Sequence, residues 1–233
     1  MVQPMPEEQL PLALRLKTAP SFANFVVGAN REAVDRARAL AEGSVVGSLL
    51  LWGAATSGKT HLLESAVRAA LLRGRAVRYL SLREHEALSP TLLDDLEHHC
   101  ELLCLDDVDA VAGKRLWEEA LFRMHLRSET CPWLCAARQP PAAAGFVMPE
   151  LASRLAAALV YQIPPLDDAG KRVLIGARSA QLGLELDPAV AGYLLERHAR
   201  DLRGLMALLD RIDRESLRSQ RRPSLAFVRR LVR

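Results

Sequence analysis

Eight residues, Gly53-Ala54-Ala55-Thr56-Ser57-Gly58-Lys59-Thr60, constrain this chain more than any other feature. They complete the pattern G-x-x-x-x-G-K-[ST] in the required setting, with an apolar, β-rich run (SLLLWG) leading in and a helical pattern, Lys59 to Arg73, leading out. In such a loop the glycines let successive backbone N–H groups turn inward around phosphate oxygens, and the helix that follows presents its positive N-terminal end. Lys59 is expected to reach the β- and γ-phosphates and Thr60 to offer a hydroxyl oxygen to Mg²⁺. His61, the first residue beyond the motif, is grouped with Gly53 to Thr60 as nucleotide-binding. A chance glycine-rich turn would not bring both flanks with it.

About 45 residues later comes Leu102-Leu103-Cys104-Leu105-Asp106-Asp107, an apolar strand candidate that ends in paired carboxylates. This spacing reads as a Walker B element. Asp106 would hold Mg²⁺ together with Thr60, directly or through water, and Asp107 would orient the attacking water as a catalytic residue. The plainer alternative is an acidic loop after a buried strand.

Five short β-rich runs (SLLLWG, AVRYLSL, ELLCLDD, WLCAA, LVYQI) alternate with stretches of helical period such as Lys59 to Arg73 and Lys114 to Ser128. That alternation predicts an α/β fold with a parallel sheet wrapped by helices. After Pro164-Pro165 the strand signals stop. Helices are expected over Asp168 to Gln181, Pro188 to His198, Leu202 to Leu217 and Ser224 to Val232, with Asp187-Pro188 a good helix start. The expected organisation is a tail over residues 1–20, an α/β base over 21–165 and a small all-helical lid over 166–233.

Composition excludes some classes. Half of the 233 residues are hydrophobic and 25% are charged, as in folded soluble domains. Glu7 and Glu8 interrupt the N-terminal apolar residues, and no segment approaches the roughly 20 apolar residues that span a bilayer. The reading is a cytoplasmic protein with neither signal peptide nor membrane span. From Glu196 onward there are 11 Lys and Arg against 5 Asp and Glu, so basic charge gathers at the C-terminal end. It suits either a solvated helix surface or nucleic-acid phosphates. The four cysteines form two C-x-x-x-C pairs, Cys100/Cys104 and Cys131/Cys135, with His98 and His99 beside the first. Residues four apart on a strand lie about 13 Å apart, which argues against a zinc ion within either pair and for buried, reduced thiols.

Several further segments carry a resemblance. They are Ser21-Phe22-Ala23-Asn24-Phe25-Val26-Val27-Gly28-Ala29-Asn30-Arg31, Arg138-Gln139-Pro140-Pro141, Leu151-Ala152-Ser153-Arg154-Leu155 and Asp201-Leu202-Arg203-Gly204-Leu205. With the P-loop and the Asp-Asp pair they resemble the DnaA-like AAA+ family over nearly all of residues 21–233. The resemblance implies an AAA+ P-loop NTPase base followed by a helical lid. It assigns Arg154 as an arginine finger, the catalytic residue that completes a neighbouring subunit's site, and Arg203 as a lid arginine on the chain's own nucleotide. Arg138 stands where the family commonly has Asp, and Asp107 is one methylene shorter than the Glu of fast AAA+ ATPases. Both departures imply slow intrinsic hydrolysis.

Within that family the chain looks like the short regulatory inactivators of DnaA, which lack a helix-turn-helix domain after the lid. These carry a tail that docks on the sliding clamp (beta subunit) of DNA polymerase III. Here Gln9-Leu10-Pro11-Leu12-Ala13-Leu14 matches at five of six positions, with Ala13 in place of proline. Physically, Pro11 biases Leu10 toward an extended conformation, Leu12 and Leu14 are apolar anchors, and the Gln9 amide is a hydrogen-bonding contact. The resemblance thus implies ADP or ATP with Mg²⁺, DnaA and the clamp as partners, DNA reached through the clamp, and a tendency to self-associate. A different class, a DNA-remodelling or helicase-loading AAA+ ATPase, would bind DNA directly.

Overall fold

The computed structural model describes residues 19–94, 96, 100–127, 131–198 and 202–232. Gln9 to Leu14, His98, His99 and Asp201 lie outside these residues. The chain divides into two compact units, which part between Gly170 and Lys171.

In the first unit each of the five apolar runs forms a strand: β1 (Leu49–Trp52), β2 (Val77–Ser81), β3 (Leu102–Asp106), β4 (Trp133–Ala137) and β5 (Leu159–Gln162). All neighbours pair in parallel, in the order β2-β3-β4-β1-β5. Tight turns cannot connect parallel strands, so crossovers carry helices. Helix α1 (Arg31–Glu42) precedes β1, α2 (Lys59–Leu72) leads to β2, α3 (Arg115–Arg127) to β4 and α4 (Pro149–Ala156) to β5.

Strand side chains alternate between the two faces. Leu49, Leu51, Leu102, Cys104, Leu134 and Ala136 pack with Val34 and Ala37 of α1 and Leu62, Leu63 and Ala66 of α2. Leu50, Leu103, Leu105, Trp133 and Cys135 turn the other way, onto Trp117, Leu121 and Met124 of α3 and Leu151 and Leu155 of α4. With both faces covered, every residue of β3 and β4 is buried; hence these strands read as unbroken apolar runs rather than as alternations. The edge strand β5 is mostly exposed.

The second unit holds most of α5 (Asp168–Leu182) and all of α6 (Pro188–His198), α7 (Leu202–Ser219) and α8 (Leu225–Val232). Leu205, Leu208, Leu209, Ile212 and Ser216 recur at helical spacing along the buried face of α7. The three leucines and Ile212 meet Ile175, Val190, Leu194 and Val228 in one core. Arg178 of α5 donates to Asp210 Oδ1 of α7 at 2.6 Å. Among the described residues, no helix is long and apolar enough to cross a membrane.

None of the four cysteines is in a disulfide, and among the described residues no metal-ligating cluster of three or more side chains occurs. Cys104, Cys131 and Cys135 are buried as expected, but Cys100 is only half-buried because it precedes β3 rather than lying in it.

Candidate nucleotide site

The site grows from the C-terminal ends of β1, β3 and β4, where an open parallel sheet gathers its loops. Trp52 at the end of β1 lies opposite Ala137 at the end of β4, and the Gly53 N–H donates to Ala137 O at 3.2 Å. The loop therefore starts at a fixed point of the sheet. Gly53 has φ 156°, and a Cβ there would stand 2.3 Å from Ile163 O. Gly58 has φ 102°, and a Cβ there would meet the Phe25 ring at 2.8 Å. Both motif glycines are thus dictated by local packing as well as by the needs of a phosphate cradle. A side chain at Gly53 would press on the backbone of Ile163, and one at Gly58 would have to displace the Phe25 ring while holding a strained positive φ.

Lys59 opens α2 with its ammonium folded into the loop. Its Nζ donates to Gly53 O at 2.7 Å, Ala54 O at 2.9 Å and Ser57 Oγ at 3.4 Å. Burial lowers its pKa, against the opposing pull of Asp106, Asp107 and Asp109. A buried cation held in a concave backbone loop, at the N-terminus of a helix with no acid in its first turn, is matched to a polyphosphate.

Thr60, one residue on, donates its hydroxyl to Asp106 Oδ2 at 2.7 Å. Walker B residue and P-loop hydroxyl are thereby brought together, although 46 positions separate them in the chain. The two oxygens, one hydroxyl and one buried carboxylate beside the phosphate loop, form a hard-oxygen pair that fits Mg²⁺. Tyr79 O–H, from β2, donates to the same Asp106 Oδ2 at 3.2 Å. Burial and the Asp106 carboxylate raise the Tyr79 pKa far above its ordinary value, so it stays a donor.

Asp107 adopts φ 53° and ψ 47°, a left-handed conformation that costs about 1–2 kcal/mol in an L-residue. Its carboxylate is 8% exposed and is taken by Arg83, whose Nε and Nη2 each lie 2.8 Å from Oδ2. The residue expected to orient water is held by a cation of its own chain. Arg138 follows β4 beside the loop, with its backbone N–H donating to Asp109 Oδ2 at 2.9 Å, and its charge helps to lower the Lys59 pKa.

His61 turns away from the loop. Its Nε2 is 2.9 Å from Asn24 Oδ1 and 3.2 Å from Ser21 O, and its ring lies 5.5 Å from that of Phe25. The side chain fastens the segment at 21–25 to α2, while its backbone N–H remains in the first turn of the helix, facing the phosphate end.

Arg154 stands on α4, exposed, and its guanidinium makes no hydrogen bond or ion pair with another described residue. The helix that carries it is fixed from within by Glu118 of α3, which is wholly buried. Glu118 Oε1 accepts from the Gly113 N–H at 2.7 Å and the Val147 N–H at 3.1 Å, and Oε2 accepts from the Met148 N–H at 2.7 Å. Met148 is the cap residue immediately before α4. Arg203 is exposed in the first turn of α7, in the second unit.

The structure thus gathers Gly53 to Thr60, Asp106 and Asp107 into one site. Tyr79, Arg83 and Glu118 were not singled out in the sequence. The first two depend on the β2–β3 register, in which Ser81 lies opposite Asp106; an aromatic and a basic residue flanking the end of the strand that pairs with Walker B were the available signal. Glu118 had only its place in the apolar-periodic face of α3.

Two family models match the chain: the bacterial DnaA ATPase domain over residues 16–162 and the Hda lid domain over 168–232. Domain III of the Thermotoga maritima replication initiation protein DnaA aligns at a TM-score of 0.77 and 21% identity, over 92% of this chain and 95% of that one. AMPPCP-bound DnaA from Aquifex aeolicus aligns at 0.72 and 27% identity, over 82% and 64%. Thermotoga maritima RuvB has a similar fold, at a TM-score of 0.67 and 16% identity over 91% and 70%.

Proposed function

Because this chain belongs to the DnaA-like AAA+ family and carries an Hda-type lid, we propose that it is a DnaA-related regulator that restrains replication initiation. In this reading the nucleotide-bound chain, held on DNA-loaded sliding clamp by Gln9, Leu10, Pro11, Leu12 and Leu14, docks on ATP-bound DnaA and speeds hydrolysis there. Inactive ADP-bound DnaA is the product. The observation that carries the reading is the pairing of an Hda-type lid with an exposed Arg154, whose guanidinium has no partner among the described residues, on a helix whose start is held by Glu118.

The chain's own residues divide the work. Lys59 and the loop amides bind the phosphates of ADP or ATP, and Arg203 on the lid contacts the same nucleotide. Thr60 and Asp106 would hold Mg²⁺, which supplies charge neutralisation between the phosphates. Tyr79 keeps the Asp106 carboxylate turned toward Thr60. Asp107, tied to Arg83, leaves water poorly oriented, so the chain's own nucleotide turns over slowly. Arg154 supplies positive charge to the phosphoryl group in the partner's site, where such charge stabilises the transition state. Action in the cytoplasm and self-association belong to the same reading.

The exposed Arg211, Arg214 and Arg218 of α7 and Arg229 and Arg230 of α8 favour a second reading, a DNA-remodelling or helicase-loading ATPase that grips DNA directly. One assay separates the two. ATP bound to DnaA is followed in the presence of clamp loaded on DNA, with this protein or its Arg154→Ala variant. Acceleration by the wild type alone is expected. If neither protein accelerates conversion, and the chain binds DNA without clamp in a salt-sensitive manner, the second reading replaces the first.

A further inference from the structure

Cys100 and Cys131 lie 31 positions apart in sequence, yet the Cys131 S–H points at Cys100 Sγ from 3.4 Å. Topology produces the meeting. Cys100 stands just before β3 and Cys131 just before β4, and these strands pair side by side with Leu103 opposite Trp133 and the Leu103 N–H on Pro132 O at 3.0 Å. Carried back from Leu103 opposite Trp133, the register sets Cys131 one position along from Cys100; a strand spacing of about 4.8 Å and a rise of about 3.3 Å per residue then give a Cα separation of about 6 Å, inside the range of about 4.4–6.8 Å that a disulfide spans. Both side chains join the core on the α3 side of the sheet.

The other two cysteines are an internal contrast on the same strands. Cys104 faces the α1 and α2 layer while Cys135 faces α3 and α4, so the sheet itself separates them. Both are buried, and burial pushes the Cys104 thiol well above its ordinary range and the Cys135 thiol up to about 12. They stay protonated and shielded.

The geometry points to Cys100 and Cys131 as an oxidation site, a vicinal dithiol that a peroxide closes to an intramolecular disulfide across the starts of β3 and β4. Cys100 is the attacking group, since it is the one half-buried residue among the four cysteines, the other three being buried; its Sγ also lies 2.9 Å from Leu102 O. The hydrogen bond from Cys131 brings its pKa down to about 7, with help from the Arg78 charge and against the effect of burial. The shift favours the thiolate, the form of the thiol that attacks. The Cys100 thiolate attacks one oxygen of hydrogen peroxide, the O–O bond breaks, and a sulfenic acid and hydroxide form. Cys131 then loses its proton, its sulfur attacks the Cys100 sulfur, the S–O bond breaks, and the departing hydroxide takes up that proton as water. Overall, two thiols are oxidised and one peroxide is reduced to two waters.

The crosslink encloses the β3–α3–β4 crossover and sits at the strand ends away from Asp106 and Asp107. It is expected to raise the unfolding temperature by several degrees and to leave nucleotide affinity unchanged. The test treats the reduced full chain with a small excess of hydrogen peroxide. The expected result is a loss of two hydrogens in intact mass, a fall from four titratable thiols to two, a Cys100–Cys131 crosslinked peptide, and full reversal by a dithiol reductant. Cys100→Ser keeps its remaining three thiols. Four thiols persisting in the wild type, stable addition of oxygen without a crosslink, a Cys104 or Cys135 linkage, or a disulfide-linked dimer would each overturn the assignment. A purely structural role for Cys100 would make Cys100→Ser less stable without changing the thiol count of the oxidised wild type.

Discussion

Two cations in the first unit receive opposite treatment. Lys59 is buried, with three acceptors from its own loop within 3.4 Å, whereas Arg154 is exposed on α4 with no described partner of its own. A buried ammonium without acceptors would be too costly to keep, so the fold must surround Lys59, and what surrounds it also shapes a phosphate site. An exposed guanidinium has no such constraint and adds little to stability. Under the proposed function, this difference leaves Lys59 to the chain's own nucleotide and Arg154 to another molecule.

The sharpest way to break this comparison is to remove each cation in turn. Arg154→Ala is expected to reduce DnaA-linked ATP hydrolysis by about 10³-fold or more, the effect typical of an arginine finger, while leaving ADP affinity of the isolated chain within twofold. Lys59→Ala is expected to weaken ADP by roughly 100-fold, equivalent to about 2.7 kcal/mol, as read by equilibrium titration with a fluorescent nucleotide. If Arg154→Ala also lost its own nucleotide, the two cations would share one site and the contrast would fail.

Next in size is the buried carboxylate that holds the Arg154 helix in place. Glu118→Ala strips acceptors from the N–H groups of Gly113, Val147 and Met148, at a cost of at least about 3 kcal/mol in unfolding free energy. Glu118→Gln keeps one acceptor oxygen and should lose less. Denaturant titration gives the ranking. In the folded fraction, stimulation of DnaA is expected to fall while ADP affinity holds; equal loss of both would mean that α4 supports the nucleotide site too.

A smaller effect is expected at Arg83. Arg83→Ala frees Asp107, and the chain's own ATP hydrolysis should rise several-fold under single-turnover conditions. An unchanged or slower rate would show that the pair only anchors the strained Asp107 backbone.

The nucleotide side of this contrast was far more legible in the sequence than the partner side. P-loop chemistry is local: φ above zero at Gly58, a lysine beside it and a hydroxyl after it occupy consecutive positions. The apolar runs of β3 and β4 were equally plain because two covering layers demand apolar residues at every position. Helix α1 was not singled out, since it buries mainly alanines, Ala33, Ala37 and Ala41, beside Val34 and Leu40, which leaves a faint apolar stripe among charged residues. Helix α4, eight residues long, gave no stronger signal. Arg83 to Asp107, Glu118 to Met148 and Cys100 to Cys131 arise only when strands find their register. The i, i+4 spacing of the cysteines even directs attention to the wrong partners.

The smallest expected effect concerns the fastening of the segment at 21–25 to α2, at His61. Burial lowers its pKa, and in the neutral form Nε2–H donates toward Asn24 Oδ1 and Ser21 O. Because the folded pKa lies below the unfolded one, protonation favours the unfolded chain. The stabilising contribution is therefore complete above the ordinary histidine pKa of about 6.5 and is lost as pH falls through the lowered folded value. His125 shifts in the same direction, through burial and the Arg154 charge. Thermal unfolding should accordingly fall modestly between pH 7.5 and pH 5.5, and His61→Asn, which has no such proton to gain, should reduce that fall without abolishing it. An identical pH profile in the variant would assign the whole drop to His125 and to the neighbourhood of Arg154, moving the pH sensitivity from the nucleotide side of the molecule to the partner side.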